Sequence, residues 1–298
     1  MPQIKIASWN VNSINARLEN LLFWLNDAKP DVALLQEIKC EEENFPHEPI
    51  ANLGYNIAIS GQKSYNGVAI LSKLPLQDVV KKFQPNKENL NIGHKLESAQ
   101  NQQGLPIINQ QNTIPQARYI EAVVCFHNQA IRVASIYVPN GGAELLPNQK
   151  VNESEKFAYK MRFFEDLTKH LKDLLKNNEI AVFGGDYNVA ASDIDVYDPV
   201  GLRGAVGFHI DEQKKFRKLI NLGYQDAFRI LHPNSQSFSW WDYRGNSWAY
   251  NKGMRIDYLL TSPLASDCLK SAFSDDKMMS RNKPSDHCPA VITLDLKK

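Results

Sequence analysis

Short apolar runs alternate with helical patterns along most of the chain, and this alternation restricts the fold more than any other feature. The runs "IKIASW", "DVALLQE" and "IAVFGGD" have the length and composition of buried strands. A helical face formed by Leu18, Leu21 and Leu25 separates the first two, and helical spacing returns over residues 153–176 and 211–221. The alternation predicts an α/β protein whose helices cover its sheets.

The other predicted strands come mostly in neighbouring pairs. "YNIAIS" and "NGVAILS" are joined by a polar turn, and "RYIEAVVCF" and "AIRVASIYV" predict a hairpin that turns near "HNQ". "RIDYLLTS" and "PAVITLDL" are later strands. Because no low-complexity linker separates two halves of the chain, we predict that residues 1–298 form a single domain.

Residues 84–116 interrupt the alternation. This segment is dense in Asn and Gln and has neither helical nor strand periodicity. It offers too little apolar surface to order itself well, which predicts a flexible surface insert. An insert that binds a partner is the alternative.

Composition and charge exclude several classes of protein. A net charge of +1 is not that of a histone-like nucleic-acid binder, although an acidic pocket with a basic rim would be compatible with it. The four cysteines are far apart and form no CxxC pair, which argues against a zinc site and suits a reducing compartment. No signal peptide and no run of about 20 apolar residues is evident, so we expect a cytoplasmic protein without membrane contact.

Polar side chains recur where the predicted strands end, which is where open α/β sheets place their ligand sites. One such residue alone is usually a helix cap or a turn. Recurrence at several strand ends favours a shared site. The residues are Asn10, Asn12, Glu37, Tyr137, Asp186, Asn188, Asp257, Asp286 and His287.

These residue types suit metal-assisted hydrolysis of a phosphodiester. Carboxylate oxygens hold Mg²⁺ or Mn²⁺, which neutralise charge on the phosphate. Asp186 is suited to deprotonating water, and Asn188 can orient that water without adding negative charge. Asp286 and His287 would point to opposite faces of a strand, so His287 needs another carboxylate to fix its tautomer, and Asp257 is the best candidate.

A set of motifs in a fixed order resembles the exonuclease III family of the endonuclease/exonuclease/phosphatase superfamily. The resemblance covers the chain apart from residues 84–116, and "FSWWDYR" favours this family over other branches. The motifs are "SWNVNSI", "PDVALLQEIK", "GYNIAISGQKSYNGVAILS", "YVPNG", "GGDYNVA", "FSWWDYR", "RIDYLL" and "PSDHCPAV".

The resemblance implies a four-layer αββα sandwich, in which two mixed β-sheets pack face to face with helices outside. It implies Mg²⁺ as cofactor, with Mn²⁺ able to substitute. Glu37 would bind the metal, with Asn10 beside it and Asp286 sharing ligation. Asn12 is an amide where some relatives have an acid, so direct ligation there is not expected.

Catalytic roles follow from the same resemblance. Asp186 would activate the water and Asn188 would place it. Tyr137 would contact the scissile phosphate, and His287, held by Asp257, would stabilise the transition state. The two glycines before Asp186 would let a phosphate approach.

DNA contacts are also implied. Phe238 and Trp240 lie two residues apart, so on an extended chain they would face the same side and form two walls of a pocket for a base-less sugar. Asn15 stands where the family often has an arginine, so one backbone contact is missing. The remaining contacts to DNA would come from Arg17, Tyr65, Arg118 and Asn140.

The sequence therefore predicts a monomeric DNA repair nuclease of exonuclease III type. It would remove nucleotides from 3′ ends of double-stranded DNA, cut the backbone 5′ to abasic sites, and release 3′-blocking groups. A superfamily phosphatase acting on an inositol phosphate or a sphingolipid is one alternative. A DNA-binding module that has lost catalysis is the other, although Glu37, Asp186 and His287 are all present.

Overall fold

A computed structural model describes residues 2–82, 116–142 and 150–296. The predicted insert at residues 84–116 lies outside these ranges, apart from Gln116, and that prediction is left open. Within the described ranges, no helix has both the length and the apolar character that crossing a membrane requires.

Fourteen strands are present in the described residues, and twelve of them build two six-stranded sheets. Their bounds are β1 Gln3–Asn10, β2 Val32–Gln36, β3 Asn56–Ser60, β4 Val68–Ser72, β5 Leu76–Val80, β6 Tyr119–Phe126, β7 Gln129–Tyr137, β8 Ile180–Asp186, β9 Gln225–Asp226, β10 Trp240–Trp241, β11 Gly253–Met254, β12 Asp257–Thr261, β13 Leu269–Ser274 and β14 Ala290–Asp295. The α-helices are α1 Leu18–Ala28, α2 His47–Ala51, α3 Glu155–Leu174, α4 Ile210–Asn221, α5 Ala227–Leu231 and α6 Pro263–Ser266.

The two sheets stack face to face and confirm the predicted four-layer sandwich. The first has the order β13-β14-β1-β2-β4-β3 and the second the order β5-β6-β7-β8-β12-β9. Both are mixed, because β1 is parallel to β2 and β7 to β8 while the other pairings are antiparallel. Buried side chains such as Ile6, Leu34, Val133 and Leu259 fill the space between the sheets.

Helices cover the outer faces. Leu21 and Trp24 of α1 pack on the first sheet, and Phe164 of α3 and Phe216 of α4 pack on the second. Helix α1 carries the predicted face of Leu18, Leu21 and Leu25, and it ends with Lys29 in the left-handed conformation (φ 48°) before a proline. A turn precedes Leu18, where the helix begins.

The two glycines of β8 have a different role from the predicted one. A Cβ on Gly184 would lie 2.6 Å from Leu34 Cδ1, between the sheets. A Cβ on Gly185 would lie 2.0 Å from the Ile136 carbonyl oxygen of the adjacent strand. The interpretation that they admit a phosphate is therefore wrong: they allow close packing of the sheets and of neighbouring strands.

The topology brings the polar strand ends to one edge of the sandwich. The parallel pairs β1–β2 and β7–β8 all end there, with Asn10 opposite Gln36 and Tyr137 opposite Asp186. Strand β12 runs antiparallel to β8, so its first residue, Asp257, lies opposite Asp186. His287 precedes β14 at the same edge, so residues far apart in sequence meet in one place.

Candidate active site

Asp186 is an enclosed acid at this edge, with only 1% of its surface exposed. Its Oδ1 accepts the backbone N–H of Asn188 at 2.8 Å, and its Oδ2 accepts side-chain N–H groups of Asn10 at 3.0 Å and Asn188 at 3.1 Å. Burial raises the pKa of Asp186 to about 7, and the nearby charge of Asp257 adds to the rise. The carboxyl group can therefore both take up and release a proton near neutral pH.

His287 lies beside Asp186 and is held from behind by Asp257. Its Nδ1 is 2.8 Å from Asp257 Oδ2, the contact expected from the sequence, and its Nε2 is 3.8 Å from Asp186 Oδ2. Burial alone would lower the pKa of His287, but the charges of Asp257 and Asp186 raise it to about 10. The imidazole is therefore a cation at neutral pH, facing the edge where a phosphate would bind.

Glu37 lies at the rim of the site, between the phenol of Tyr137 and the ammonium group of Lys39. Tyr137 Oη donates to Glu37 Oε1 at 2.6 Å, and Lys39 Nζ is 2.8 Å from Glu37 Oε2. Burial raises the pKa of Glu37, but the hydrogen bonds from Lys39 and Tyr137 outweigh it and hold the pKa below its ordinary value. Burial, together with the charge of Glu37, raises the pKa of Tyr137, so the phenol stays protonated as a donor.

Asn10 connects the two carboxylates rather than offering its oxygen to a cation. Its Nδ2 donates to Glu37 Oε1 at 3.1 Å and to Asp186 Oδ2 at 3.0 Å. Its Oδ1 accepts the backbone N–H of Asn12 at 3.0 Å, which fixes the orientation of the amide. In this orientation Asn10 positions Glu37 and Asp186, and its ligation of a metal stays a prediction.

Asp286 occupies the far end of a polar chain that starts at Glu37. Its Oδ1 accepts Asn12 Nδ2 at 2.9 Å, and its Oδ2 accepts Trp240 Nε1 at 3.1 Å. Asn12 Oδ1 in turn accepts Lys39 Nζ at 2.5 Å. Asp286 is thus linked to Glu37 through Asn12 and Lys39.

The oxygens of Glu37, Asn12 and Asp286, here called the Glu37 corner, are of the kind that a hard divalent cation binds. The Lys39 ammonium group already rests between oxygens of Glu37 and Asn12, which shows that the corner accommodates positive charge. Carboxylate and amide oxygens are the ligands that Mg²⁺ and Mn²⁺ favour. The residues at Glu37 therefore fit the implied metal.

A second group of ligand atoms lies deeper. Oxygens of Asp186 and Asp257 and a nitrogen of His287 are within 4.8 Å of one another. Asp257 Oδ2 already binds His287 Nδ1 and accepts Ser239 Oγ at 2.6 Å. Because a cationic His287 balances these two acids, the Glu37 corner suits a metal better.

Residues at this edge adopt unusual backbone conformations. Asn12 (φ 43°), Glu37 (φ 50°), Lys39 (φ 53°) and Asn188 (φ 52°) all lie in the left-handed region. This conformation costs a non-glycine residue about 1–2 kcal/mol, least for Asn. Such strain persists where the surrounding contacts impose it, and here it turns polar groups toward one another.

The two aromatic residues of the predicted sugar pocket, Phe238 and Trp240, pack in different apolar clusters. Trp240 packs with Met254 and Ile256 in a small apolar cluster, and its indole is half-buried. Phe238 is only 4% exposed and packs against Trp241 in a different cluster. Strand β10 starts at Trp240, so strand alternation does not extend back to Phe238, and its assignment as a pocket wall is wrong.

The predicted DNA contacts divide into two groups. Arg118 places its guanidinium 4.6 Å from the ring centre of Tyr137, and Tyr65, in a neighbouring loop, is 72% exposed. Asn140 donates to Asn188 Oδ1 at 3.1 Å. Arg17 differs: its guanidinium donates to the Asn12 carbonyl at 2.7 Å and to a tyrosine hydroxyl, so it holds the Asn12 turn.

Sequence reasoning missed four residues at this edge. Lys39 stands two residues after Glu37 and could have been found from that spacing. Met254 and Ile256 could not be identified from the sequence, because an apolar residue before a strand is typical of the hydrophobic core. Tyr243, in "FSWWDYR", accepts Arg17 Nη2 at 3.0 Å and donates to the Pro284 carbonyl at 2.8 Å, and only the tertiary structure reveals this.

Comparison with known proteins finds similarity along nearly the whole chain. The model of the Endonuclease/Exonuclease/phosphatase family matches residues 7–287. Exodeoxyribonuclease III of Haemophilus influenzae is 33% identical over 297 residues, which cover 96% of this chain and 98% of that protein.

Solved structures are similar to this chain over nearly its whole length. An AP endonuclease from Archaeoglobus fulgidus is 32% identical, with a TM-score of 0.82, over 98% of this chain and all of that one (100%). A 3′ phosphatase from Neisseria bound to product DNA hairpin is 33% identical, with a TM-score of 0.83, over the same shares, 98% and 100%.

Proposed function

The chain belongs to the endonuclease/exonuclease/phosphatase family and to its exonuclease III branch, and from this we propose that it is a metal-dependent DNA repair nuclease. Its relatives include an exodeoxyribonuclease III, an AP endonuclease and a 3′ phosphatase. The proposed activities are 3′-to-5′ exonuclease action on double-stranded DNA, hydrolysis of the phosphodiester 5′ to an abasic site, and removal of 3′-phosphates.

One arrangement carries this proposal. A buried acid that titrates near neutral pH, Asp186, faces a cationic imidazole that Asp257 holds in place. An acid and a cation a few ångströms apart can deprotonate a water and stabilise the negative charge that its attack on phosphorus creates. This pair lies at the edge where β1, β2, β7 and β8 end and β12 begins, which is where the sheets of such a fold place a ligand site.

The proposed reaction has one displacement step. Asp186 takes a proton from a water that Asn188 orients, and the water oxygen forms a bond to phosphorus. The bond from phosphorus to the departing 3′ oxygen breaks, its electron pair stays on that oxygen, and a proton from solvent converts the oxygen to a hydroxyl. Tyr137 and His287 donate hydrogen bonds to the phosphate oxygens, where negative charge grows.

We propose Mg²⁺, with Mn²⁺ as a substitute, as the cofactor. Glu37 would hold it, with Asp286 reached through the same polar chain, and the cation would neutralise charge on the phosphate and on the departing oxygen. Lys39, which contacts Glu37 in this structure, would keep a second positive charge beside it.

Incubation with duplex DNA that carries one abasic site tests the function. We expect a single cut 5′ to the site in the presence of Mg²⁺, and release of inorganic phosphate from a duplex ending in a 3′-phosphate. Binding of DNA without any cut would favour a catalytically inactive DNA-binding module instead. Phosphate release from an inositol phosphate, but from no DNA substrate, would favour the phosphatase alternative.

We propose that Trp240, with Met254 and Ile256, forms the wall against which a base-less sugar packs. Trp240→Ala should lower abasic-site cleavage about 10-fold more than it lowers release of a 3′-phosphate, because only the first substrate needs an extruded sugar. The measurement is the ratio of the two rates. Phe238→Leu is the control, since it alters the interior cluster and should change both rates equally. An unchanged ratio in Trp240→Ala would remove Trp240 from the pocket.

A second prediction concerns pH. We expect kcat/KM to rise with pH through about 7, the pKa to which burial raises Asp186, because the base must be ionised. It should fall above about 10, the raised pKa of His287, because the imidazolium is then lost. Asp257 raises the pKa of both groups, so Asp257→Asn should move both limbs of the profile to lower pH. An unmoved upper limb would show that His287 is not the cation.

We further propose that the chain is a single domain that acts as a monomer in the cytoplasm. A shared apolar core between the two sheets supports the first point. The four cysteines, all free, support a reducing compartment. Double-stranded DNA, abasic or 3′-blocked, is the proposed partner.

A further inference from the structure

A lysine behind the active site is completely enclosed. The Lys160 side chain, in the second turn of α3, has 0% exposure, and so does its partner Glu212 in α4. An isolated buried ion pair usually stabilises a protein no better than apolar residues of the same size. Its position therefore suggests a purpose other than stability.

The ammonium group of Lys160 holds two turns of the active site. Its Nζ donates to the Asn188 carbonyl at 2.6 Å, to the Asn140 carbonyl at 3.0 Å and to Glu212 Oε1. Three acceptors match the three protons that only the charged ammonium form carries. Burial lowers the pKa of Lys160, while the charges of Glu212 and Asp186 oppose this.

Both turns have backbones shaped to meet this cation. Asn188 is in the left-handed conformation (φ 52°), with its carbonyl oxygen on Lys160 Nζ. Gly141 (φ 80°) follows Asn140, and a Cβ there would lie 2.8 Å from Lys160 Cδ. The side chains of Asn140 and Asn188 then meet in front of the lysine, at 3.1 Å.

Glu212 is itself fixed. Its Oε2 accepts the backbone N–H of His209 at 3.0 Å, in the capping box that begins α4, while its Oε1 accepts Lys160. The carboxylate that accepts Lys160 is therefore anchored at the start of a helix. The support runs from α4 through Glu212 and Lys160 to the backbone of Asn188.

We propose that Lys160 is a positioning residue for the hydrolytic reaction. It holds the backbone of Asn188 in place from the interior side, and with that backbone the groups around Asp186. This deepens the function proposed above and rests on it. A shift of about 1 Å in a reacting group can cost about 100-fold in rate. The hydrogen bonds from Lys160 to the Asn188 and Asn140 carbonyls are called the clamp below. Loss of the clamp should therefore lower kcat more than it changes KM.

The test compares two double variants. Lys160→Met/Glu212→Gln removes the buried ion pair without leaving a lone buried charge, and Lys215→Met/Glu165→Gln removes an ion pair that joins the same two helices nearer the surface. We expect the first variant to lose about 10- to 100-fold in kcat on abasic DNA with KM within about threefold, and the second to stay near wild type. Each kcat is normalised to the concentration of active enzyme, so that a smaller folded fraction in a variant does not lower its value.

A coupling measurement separates positioning from a general structural role. In an Asn188→Ala background, the substitutions at 160 and 212 should have a smaller effect on kcat than in wild type, because the Asn188 side-chain amide, one of the groups they position, is gone. Full additivity would overturn the proposal. Lys160→Gln/Glu212→Gln keeps a polar pair in the same volume and takes the same tests if the first double variant does not fold.

Hydrogen exchange tests the clamp without relying on activity. Amides of residues 138–142 and 186–190 should exchange faster in Lys160→Met/Glu212→Gln than in wild type or Lys215→Met/Glu165→Gln, while strand amides between the sheets stay protected. Unchanged exchange in both turns would overturn the positioning role. If wild type cuts no DNA yet the turns still loosen, the nuclease proposal fails and the clamp stands.

Discussion

Asp186→Asn should lower abasic-site cleavage by about 10²–10⁴-fold, the usual cost of removing a general base. The asparagine keeps the size of the side chain but cannot accept the proton of the water. DNA binding should survive or become slightly tighter, because a negative charge close to the phosphate is removed. Single-turnover rates and binding to an abasic duplex in the presence of Ca²⁺ measure the two effects separately.

The matched control is Asp267→Asn, an exposed carboxylate at the end of α6, which should leave the rate unchanged. Turnover near the wild-type value in Asp186→Asn would mean that another group takes the proton, and Asp286 would be the next candidate. Loss of DNA binding together with turnover would instead mean that Asp186 maintains the shape of the site.

Removal of divalent metal should abolish activity completely. Lys39 contacts Glu37 at the rim, and one lysine cannot neutralise both the phosphate and the departing oxygen. EDTA should stop cleavage, and Mg²⁺ or Mn²⁺ should restore it. Full activity in the chelator would contradict the proposed chemistry.

Glu37→Gln tests where the metal binds. We expect it to raise the Mg²⁺ concentration needed for half-maximal rate about 10-fold or more and to weaken Mn²⁺ binding measured by calorimetry, because a charged ligand is lost. Glu19→Gln, an exposed acid in α1, should change neither value. Normal Mn²⁺ affinity in Glu37→Gln would move the site to the group formed by Asp186, Asp257 and His287.

The main strands and long helices were predictable because their buried faces leave a clear period in the sequence. The two-residue strands β9, β10 and β11 are too short to leave one. Strand β5 lies at a sheet edge with most of its residues exposed, and β13 carries Phe273 at 46% exposure. Such edge strands form because a neighbour offers hydrogen-bonding groups, which is information from another part of the chain.

The members of the site were predictable, but their orientations were not. Strand ends identified Asp186 and Glu37, and the need of His287 for a carboxylate identified Asp257. The direction of the Asn10 amide depends on the backbone N–H of Asn12, which a left-handed turn places there. Lys160 was seen only as part of a helical pattern, because nothing in that pattern distinguishes a buried lysine from a solvated one.

The proposed catalytic groups are divided between the two stacked sheets, and this division has a mechanical consequence. Asn10 ends β1 and Glu37 follows β2 in one sheet, while Tyr137, Asp186 and Asp257 belong to the other. The gap between them is set by the thickness of the apolar layer, which acts as a spacer for the chemistry. A core substitution that thins or thickens this spacer would alter turnover while the protein remains folded. Selection on catalytic rate would therefore act on side chains that never meet the substrate.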